Sequence, residues 1–358
     1  EFTSDMVHER PDVFMFGEWI YSHPSDDRSV EFANLSGMSL LDFGLCTAIR
    51  SALGTREPNG FEAVAAIFDL DGKYRSATEL VTFFENHDMP RLQSLGAEDG
   101  MLRLALALIL LCRGIPCLYY GVEQCLHDDT NGGNDPYNRP MMASFDTGAP
   151  LYQMVAKLAA VRRRNIAVQF GSQWTRHLTP DLFCFSRHFR SARCFVALNR
   201  GEATVLPQVL TDLPDGSHTC VLSGRSFAVK DGHISGLELA RGDAVVLSTE
   251  EAPQQGPAVI VFQVNGCPTQ PGEYVMVLGN CPELGEWHEG RGLRLEYINS
   301  NTWQGGAAFS NSNGQQITYK YAIYREQDAG IPHRENRTTR RRTVPASGSA
   351  KWRDIWEE

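Results

Sequence analysis

The sequence predicts an α/β region, a parallel sheet wrapped by helices over residues 1–165, followed by two all-β regions. Three observations carry this. From residue 13 to about 165, short apolar runs alternate with amphipathic helical stretches, the signature of βα units. The helical period then gives way to short alternating segments separated by turn residues. Residues 251–257, inside the stretch Glu250-Glu251-Ala252-Pro253-Gln254-Gln255-Gly256-Pro257, have linker composition, and a final all-β stretch of ordinary domain size fills 258–358.

Taken in order, Val13-Phe14-Met15-Phe16 is the first expected strand and Met38 to Phe43 the second, with a helix over Cys46 to Leu53. Val81 to Phe84 is the third strand and Ile115 to Tyr120 the fourth. Between them, Leu102 to Cys112 predicts a buried helix, with Asp99 as its N-cap and Gly114 as its stop. Arg103 interrupts that run, which is too short to span a bilayer. Leu151 to Arg164 closes the fourth unit as an amphipathic helix with a basic last turn. Phe183 to Phe189, Cys194 to Asn199 and Ala244 to Ser248 read as strands of one antiparallel unit, and Tyr274 to Leu278 and Thr318 to Tyr324 as strands of the next.

The formal charge of −10 argues against a nucleic-acid partner, which would require a concentrated basic surface, and favours a neutral substrate. The one basic run, Arg340-Arg341-Arg342 with Arg334 and Arg337 nearby, reads as a solvated loop. No segment predicts a membrane partner. Nine cysteines, an odd number without CxxC pairs, define neither a zinc site nor a disulfide framework. There is no signal-peptide pattern, and the chain opens Glu1-Phe2-Thr3 without an initiator Met, as expected of a piece of something longer.

In βα folds the chemistry sits at the C-terminal ends of the parallel strands. Two strands end there in ionisable clusters: Phe16-Gly17-Glu18-Trp19, and Phe84-Glu85-Asn86-His87-Asp88-Met89-Pro90-Arg91. An isolated carboxylate in such a place ordinarily caps a helix or pairs with an arginine. Two of them facing one rim are what glycoside cleavage needs, one to protonate the leaving oxygen and one to stabilise positive charge on the sugar ring. On the residues alone, Asp88 would be the nucleophile.

The same residues resemble the third and fourth signature motifs of the α-amylase family, glycoside hydrolase family 13. Ala33-Asn34-Leu35-Ser36-Gly37-Met38 through Phe43 lies between them and Gly132-Gly133-Asn134-Asp135-Pro136-Tyr137-Asn138-Arg139 follows, an order similar to the cyclodextrin glucanotransferase-like subgroup. The resemblance implies that residues 1–165 are the C-terminal half of a (β/α)8 TIM barrel, strands 5 to 8, and that 166–250 form an antiparallel β-sandwich, domain C. It makes Glu18 the general acid/base and Asp88 the transition-state stabiliser, with His87 gripping sugar hydroxyls. Asp135 and Arg139 become donor-side contacts and Phe43 an acceptor-side aromatic, while Glu85 matches no role and defaults to a capping or solvent position. The family's nucleophile is an Asp on the preceding strand, upstream of residue 1, so the chain as written is expected to be inactive. Calcium, expected in the family, would draw on that same missing half, leaving no metal residue here. Extracellular location is likewise a family expectation.

Ile20 stands where cyclodextrin-forming relatives carry a stacking aromatic, and the short linker leaves no room for their extra immunoglobulin-like domain. Phe43 pulls the other way. The balance favours hydrolysis of α-1,4-glucans over transglycosylation, with a non-catalytic starch-binding protein as a third reading.

Residues 258–358 combine Trp287, Trp303, Tyr319-Lys320-Tyr321 and Glu335-Asn336-Arg337, the aromatic and polar mixture that sugar binding needs. The spacing resembles the family 20 starch-binding domain, a β-sandwich. That resemblance makes Trp287 a stacking platform, Lys320 and Asn336 its polar partners and Tyr297 a second-site aromatic, with starch and α-1,4-glucan oligosaccharides as ligands. Trp303 is expected in the core. Ile331 and Pro271 fall near positions where the family places further aromatics.

Overall fold

The computed structural model describes residues 2–10, 13–20, 27–251, 254–327, 330–336 and 339–357. Arg337 and two residues of the expected linker, Ala252 and Pro253, lie outside them.

Helix α1 (Phe2–Glu9) precedes four short parallel strands: β1 (Phe16–Gly17), β2 (Ser39–Leu40), β3 (Val81–Thr82) and β4 (Ile115–Pro116). β1 pairs with β2, Leu41 bridges to Val81, and β3 pairs with β4, so the strands form one parallel arc in sequence order. Each is followed by helix: α2 (Asp27–Ser36), α3 (Phe43–Ile49) with a π-turn and α4 (Gly60–Phe68), α5 (Asp99–Leu111), and α6 (Pro150–Arg164). This is the four-unit βα half-barrel. The outer edges of β1 and β4 pair with no other strand among the described residues, leaving Phe14, Phe16 and Ile115 exposed.

Helix α5 explains its own sequence. Leu102 and Leu104–Leu111 are all buried, because the helix lies between the barrel arc and the next region's sheet and presents no face to water. Glu98, not Asp99, takes its N-cap position, and Asp99 opens the first turn, where its charge suits the helix dipole. The helix ends at Leu111, and Gly114 serves the turn beyond it: at φ +102 its absent Cβ would stand 2.6 Å from the Leu80 carbonyl oxygen. On α6, Leu151, Met154, Leu158 and Val161 bury one stripe, and Arg162 donates from its last turn to the Leu110 and Gly114 carbonyls.

After the short helix α7 (Ile166–Phe170), eight strands form two antiparallel sheets. β5 (Ser172–Leu178), β6 (Leu182–Phe189), β7 (Ala192–Asn199) and β12 (Ala244–Ser248) make one, ordered 12-7-6-5. β8 (Thr204–Leu210), β9 (Gly216–Thr219), β10 (Ser226–Lys230) and β11 (His233–Leu239) make the other, ordered 8-11-10-9. The alternation expected of β6 and β7 is absent, since nearly every residue is buried. One face, with Cys184, Phe195 and Ala197, packs on the second sheet; the opposite face, with Phe183, Phe185 and Val196, joins the core of α4 and α5. The barrel arc and this sandwich thus share one core.

The last region is a second sandwich. β13 (Ala258–Asn265) pairs with β21 (Gly348–Ile355) in parallel and with β17 (Thr302–Phe309), which pairs with β16 (Glu296–Asn299). Facing it, β14 (Glu273–Gly279) lies between β15 (Leu293–Arg294) and β18 (Gln316–Arg325), and β18 also pairs with β19 (Gly330–Arg334) and β20 (Arg340–Thr343). Phe262, Trp303, Phe309, Tyr319, Tyr321 and Trp352 fill the space between. The two tyrosine hydroxyls donate to Asp354 at 2.9 and 2.8 Å, and Asp354 is held by Arg342, so this aromatic core keeps its polar tips satisfied. Arg340, in the basic run expected to be a solvated loop, is instead buried and paired with Glu335.

Candidate functional site

All four parallel strands point their C-terminal ends to one rim. Glu18, the residue after β1, is exposed there and makes no hydrogen bond or ion pair among the described residues. β2 lies between β1 and β3, so at ordinary strand spacing Glu18 and the β3 loop spring from positions about 10 Å apart.

The β3 loop carries a cluster. His87 Nε2 lies 3.4 Å from Asp88 Oδ1, and the Arg139 guanidinium lies 3.4 Å from the same oxygen and 3.3 Å from Asp135 Oδ1. His87, Asp88, Asp135 and Arg139 are therefore brought together, although Asp135 follows Asp88 by 47 positions in the chain. All four remain open to solvent, as groups that grip a sugar must be.

Beneath the cluster sits a clamp that the sequence did not reveal. Glu85 is 5 % exposed and Arg91 1 %; the Arg91 guanidinium donates to Glu85 Oε1 at 2.8 Å, and the Leu92 amide donates to Glu85 Oε2 at 2.8 Å. The capping or solvent position expected for Glu85 is thereby corrected: a carboxylate this deep requires a charged partner, and Arg91 supplies it. Arg91 also donates to the Asn138 carbonyl at 3.1 Å and stacks over Tyr119, 3.9 Å from its ring centre. Asn138 and Arg139 in turn donate to the His87 carbonyl at 2.7 and 2.8 Å, and Arg50 donates to the Phe84 and Pro90 carbonyls. The loop bearing His87 and Asp88 is thus fixed from both sides. Nothing in the local pattern marks Glu85 as buried, because its partner lies across a turn closed by Pro90.

Phe43 does not reach the rim. Its ring is 8 % exposed and meets Phe83 edge-on at 5.1 Å in a small core with Cys46 and Met89, which corrects its expected place among the substrate contacts. Asp42, just before it, caps α3 through the Leu45 amide and pairs with buried Arg113, which also holds Asp71. Burial pushes the Cys46 thiol up to about 12, so it remains protonated at neutral pH.

Among the described residues no group of three or more His, Cys, Asp or Glu side chains converges on one point. Asp128 accepts the Thr130 amide, and Asp135 pairs with Arg139.

On the last sandwich, Trp287 closes a turn that starts at Pro282, has positive φ at Gly285, Glu286 and Trp287, and leaves the indole 41 % exposed. That turn packs over the end of β14, whose Leu278 pairs with Lys320 on β18. The β18–β19 register, with Ala322 opposite Arg334, carries two residues further to set Lys320 opposite Asn336. Lys320 and Asn336 therefore point to the same side of that sheet, and Trp287 stands on the turn that follows β14. Tyr297 lies elsewhere, on β16, stacked 5.8 Å from the Trp174 ring of β5, and Trp303 is buried as expected.

Residues 6–158 match the model of the α-amylase catalytic domain, and residues 258–353 that of the starch-binding domain. A cyclomaltodextrin glucanotransferase of Paenibacillus macerans is 34% identical over 286 residues, covering 78% of this chain and 39% of that protein. An α-amylase of Niallia circulans is 35% identical over 230 residues, covering 62% of this chain and 43% of that protein. The crystal structure of CldA, a cyclomaltodextrin glucanotransferase with a three-domain ABC distribution, superposes with a TM-score of 0.66 at 36% identity, over 70% of this chain and 53% of that one. The chain spans about 39% of the length of the first of these relatives.

Proposed function

Residues 6–158 belong to the α-amylase family and residues 258–353 to the starch-binding domains, and from that premise we propose retaining hydrolysis of α-1,4-glucosidic bonds in starch. In this reading Glu18 protonates the glycosidic oxygen as the bond breaks and then deprotonates the attacking water. His87 and Asp88 grip hydroxyls of the sugar being cleaved, and the Asp88 carboxylate offsets the positive charge that develops on its ring. Asp135 and Arg139 contact the donor side. The nucleophile of a retaining enzyme sits about 5 Å from the acid, and Asp88, springing from a strand two places away, is poorly placed for that role. The unpaired edge of β1 is where a further strand would bring a carboxylate beside Glu18.

The observation that favours hydrolysis over transfer is that neither of the two expected acceptor-side positions offers an open ring: Ile20 is aliphatic and exposed, and Phe43 is turned into the core. Transfer requires a sugar acceptor to be held in preference to water, and stacking is the means. A glucanotransferase is the second reading, favoured by the names of the relatives at 34% identity and above. Product analysis on soluble starch, with the protein as its gene encodes it, separates the two. Linear maltooligosaccharides are expected; cyclodextrins as the main product overturn hydrolysis.

Trp287, with Lys320 and Asn336, is proposed to hold granular starch. A polymer of that size cannot cross a cell envelope, so the same reading implies secretion, tested by looking for the protein in culture medium. Trp287→Ala is expected to abolish retention on raw starch, and unchanged retention removes the assignment.

A further inference from the structure

The starch-binding domain meets the rest of the chain along one seam that crosses the neighbouring strands β16, β17, β13 and β21. On one side, Tyr297 stacks on Trp174 at 5.8 Å and 26°, while its edge meets Trp303. The next residue, Ile298, is buried among Ile166, Ala167, Phe189 and Ala192. On the other side, Gln263 and Asn265, both buried, donate to the Arg75 carbonyl at 2.6 and 2.9 Å. Beside them Glu79 pairs with Lys351 at 3.2 Å and with Arg353.

A domain swinging on a tether presents a solvated surface to its neighbour. Here the surface is apolar at one end and made of buried, hydrogen-bonded and ion-paired groups at the other, and the contacts run without a break across neighbouring strands, Asn301 donating to the Tyr74 carbonyl between them, which resists rotation. The stack also consumes Tyr297. A glucose ring needs an open aromatic face with space above it; Trp174 covers one face of this tyrosine and Trp303 crowds it at 5.6 Å and 80°.

We propose that the Trp174–Tyr297 stack and the Glu79–Lys351–Arg353 cluster lock the starch-binding domain onto the body of the chain, leaving it one glucan platform, Trp287, instead of two. The single platform rests on the starch-binding reading above; the lock does not.

Titration calorimetry of maltoheptaose tests the platform, with the full chain whose rim site is disabled by Glu18→Gln, His87→Ala and Asp88→Ala as the reference protein. One maltoheptaose per chain is expected, with affinity at least about tenfold weaker in Trp287→Ala and within about twofold of the reference in Tyr297→Phe and Tyr297→Ala. Two sites per chain, or a fivefold or greater loss (order of magnitude) in Tyr297→Ala, overturns it. Absence of any binding sinks the starch-binding reading and the single platform together. The lock is read separately by small-angle scattering: wild type keeps one compact profile, and Trp174→Ala combined with Glu79→Gln extends it. An unchanged profile in the double variant, or an extended wild type, overturns the lock. Tyr297→Phe, which preserves the ring, is expected to stay compact.

Discussion

Removing the carboxylate of Glu85 tests the clamp beneath the rim. Glu85→Ala leaves the Arg91 guanidinium, 1 % exposed, without its counter-charge and takes the acceptor from the Leu92 amide. Breaking a buried pair from one side costs about 3–5 kcal/mol and orphaning a buried amide about 1–3 kcal/mol. Arg91 keeps the Asn138 carbonyl and the Tyr119 face, which offsets part of this, so the expected net loss is about 4 kcal/mol. Glu85→Gln can still accept the amide but carries no charge, and is expected to lose about 2 kcal/mol. Adding Arg91→Met to Glu85→Ala removes the stranded cation and is expected to recover part of the loss, as replacing a whole buried pair often does. Urea titrations followed by tryptophan fluorescence read all three. A Glu85→Ala loss under about 1 kcal/mol, or a double variant no better than the single, refutes the claim that the carboxylate is buried on Arg91.

Three further outcomes follow from other sites. Burial raises the Glu79 carboxyl, but Lys351 and Arg353 outweigh it and hold the pKa near about 2, against 4.5 when unfolded. A depressed pKa contributes stability above the unfolded value, so the difference between wild type and Glu79→Gln should be full at neutral pH and vanish as pH falls from 4.5 toward 2; a pH-independent difference contradicts the pairing. Gly114→Ala forces a Cβ against the Leu80 carbonyl at a φ that L residues avoid, and should lower stability by at least about 2 kcal/mol, visible as a lower thermal midpoint. Asn138→Ala removes one of the two donors to the His87 carbonyl, leaving Arg139, and amide exchange in residues 86–89 should accelerate while the strands of the last sandwich stay protected.

The βα pattern was legible because a parallel strand and its covering helix each carry their own period, and α5 declared its burial through the apolar run Leu104 to Leu111. Glu18, His87 and Asp88 were legible for a related reason: a strand, a short polar motif and its chemistry lie within a few residues of one another. The alternation expected of β6 and β7 failed because both faces of that sheet are covered, one by its partner sheet and one by α4 and α5, and coverage is a property of neighbours.

What the sequence by itself determined is which residues are candidates for chemistry, since Glu, His and Asp at strand ends are chemically active types wherever they fall. The tertiary structure alone decided which of them are free to act. Glu85 and Glu18 are the same residue type at comparable positions, yet one is sealed on Arg91 and the other faces solvent. Tyr297 and Trp287 are both exposed aromatics on one domain, yet Trp174 covers one ring and leaves the other open. The physical reason is that ion pairing and stacking depend on a partner's distance to within an ångström, and Arg91 reaches Glu85 across a turn while Trp174 reaches Tyr297 from more than a hundred residues away.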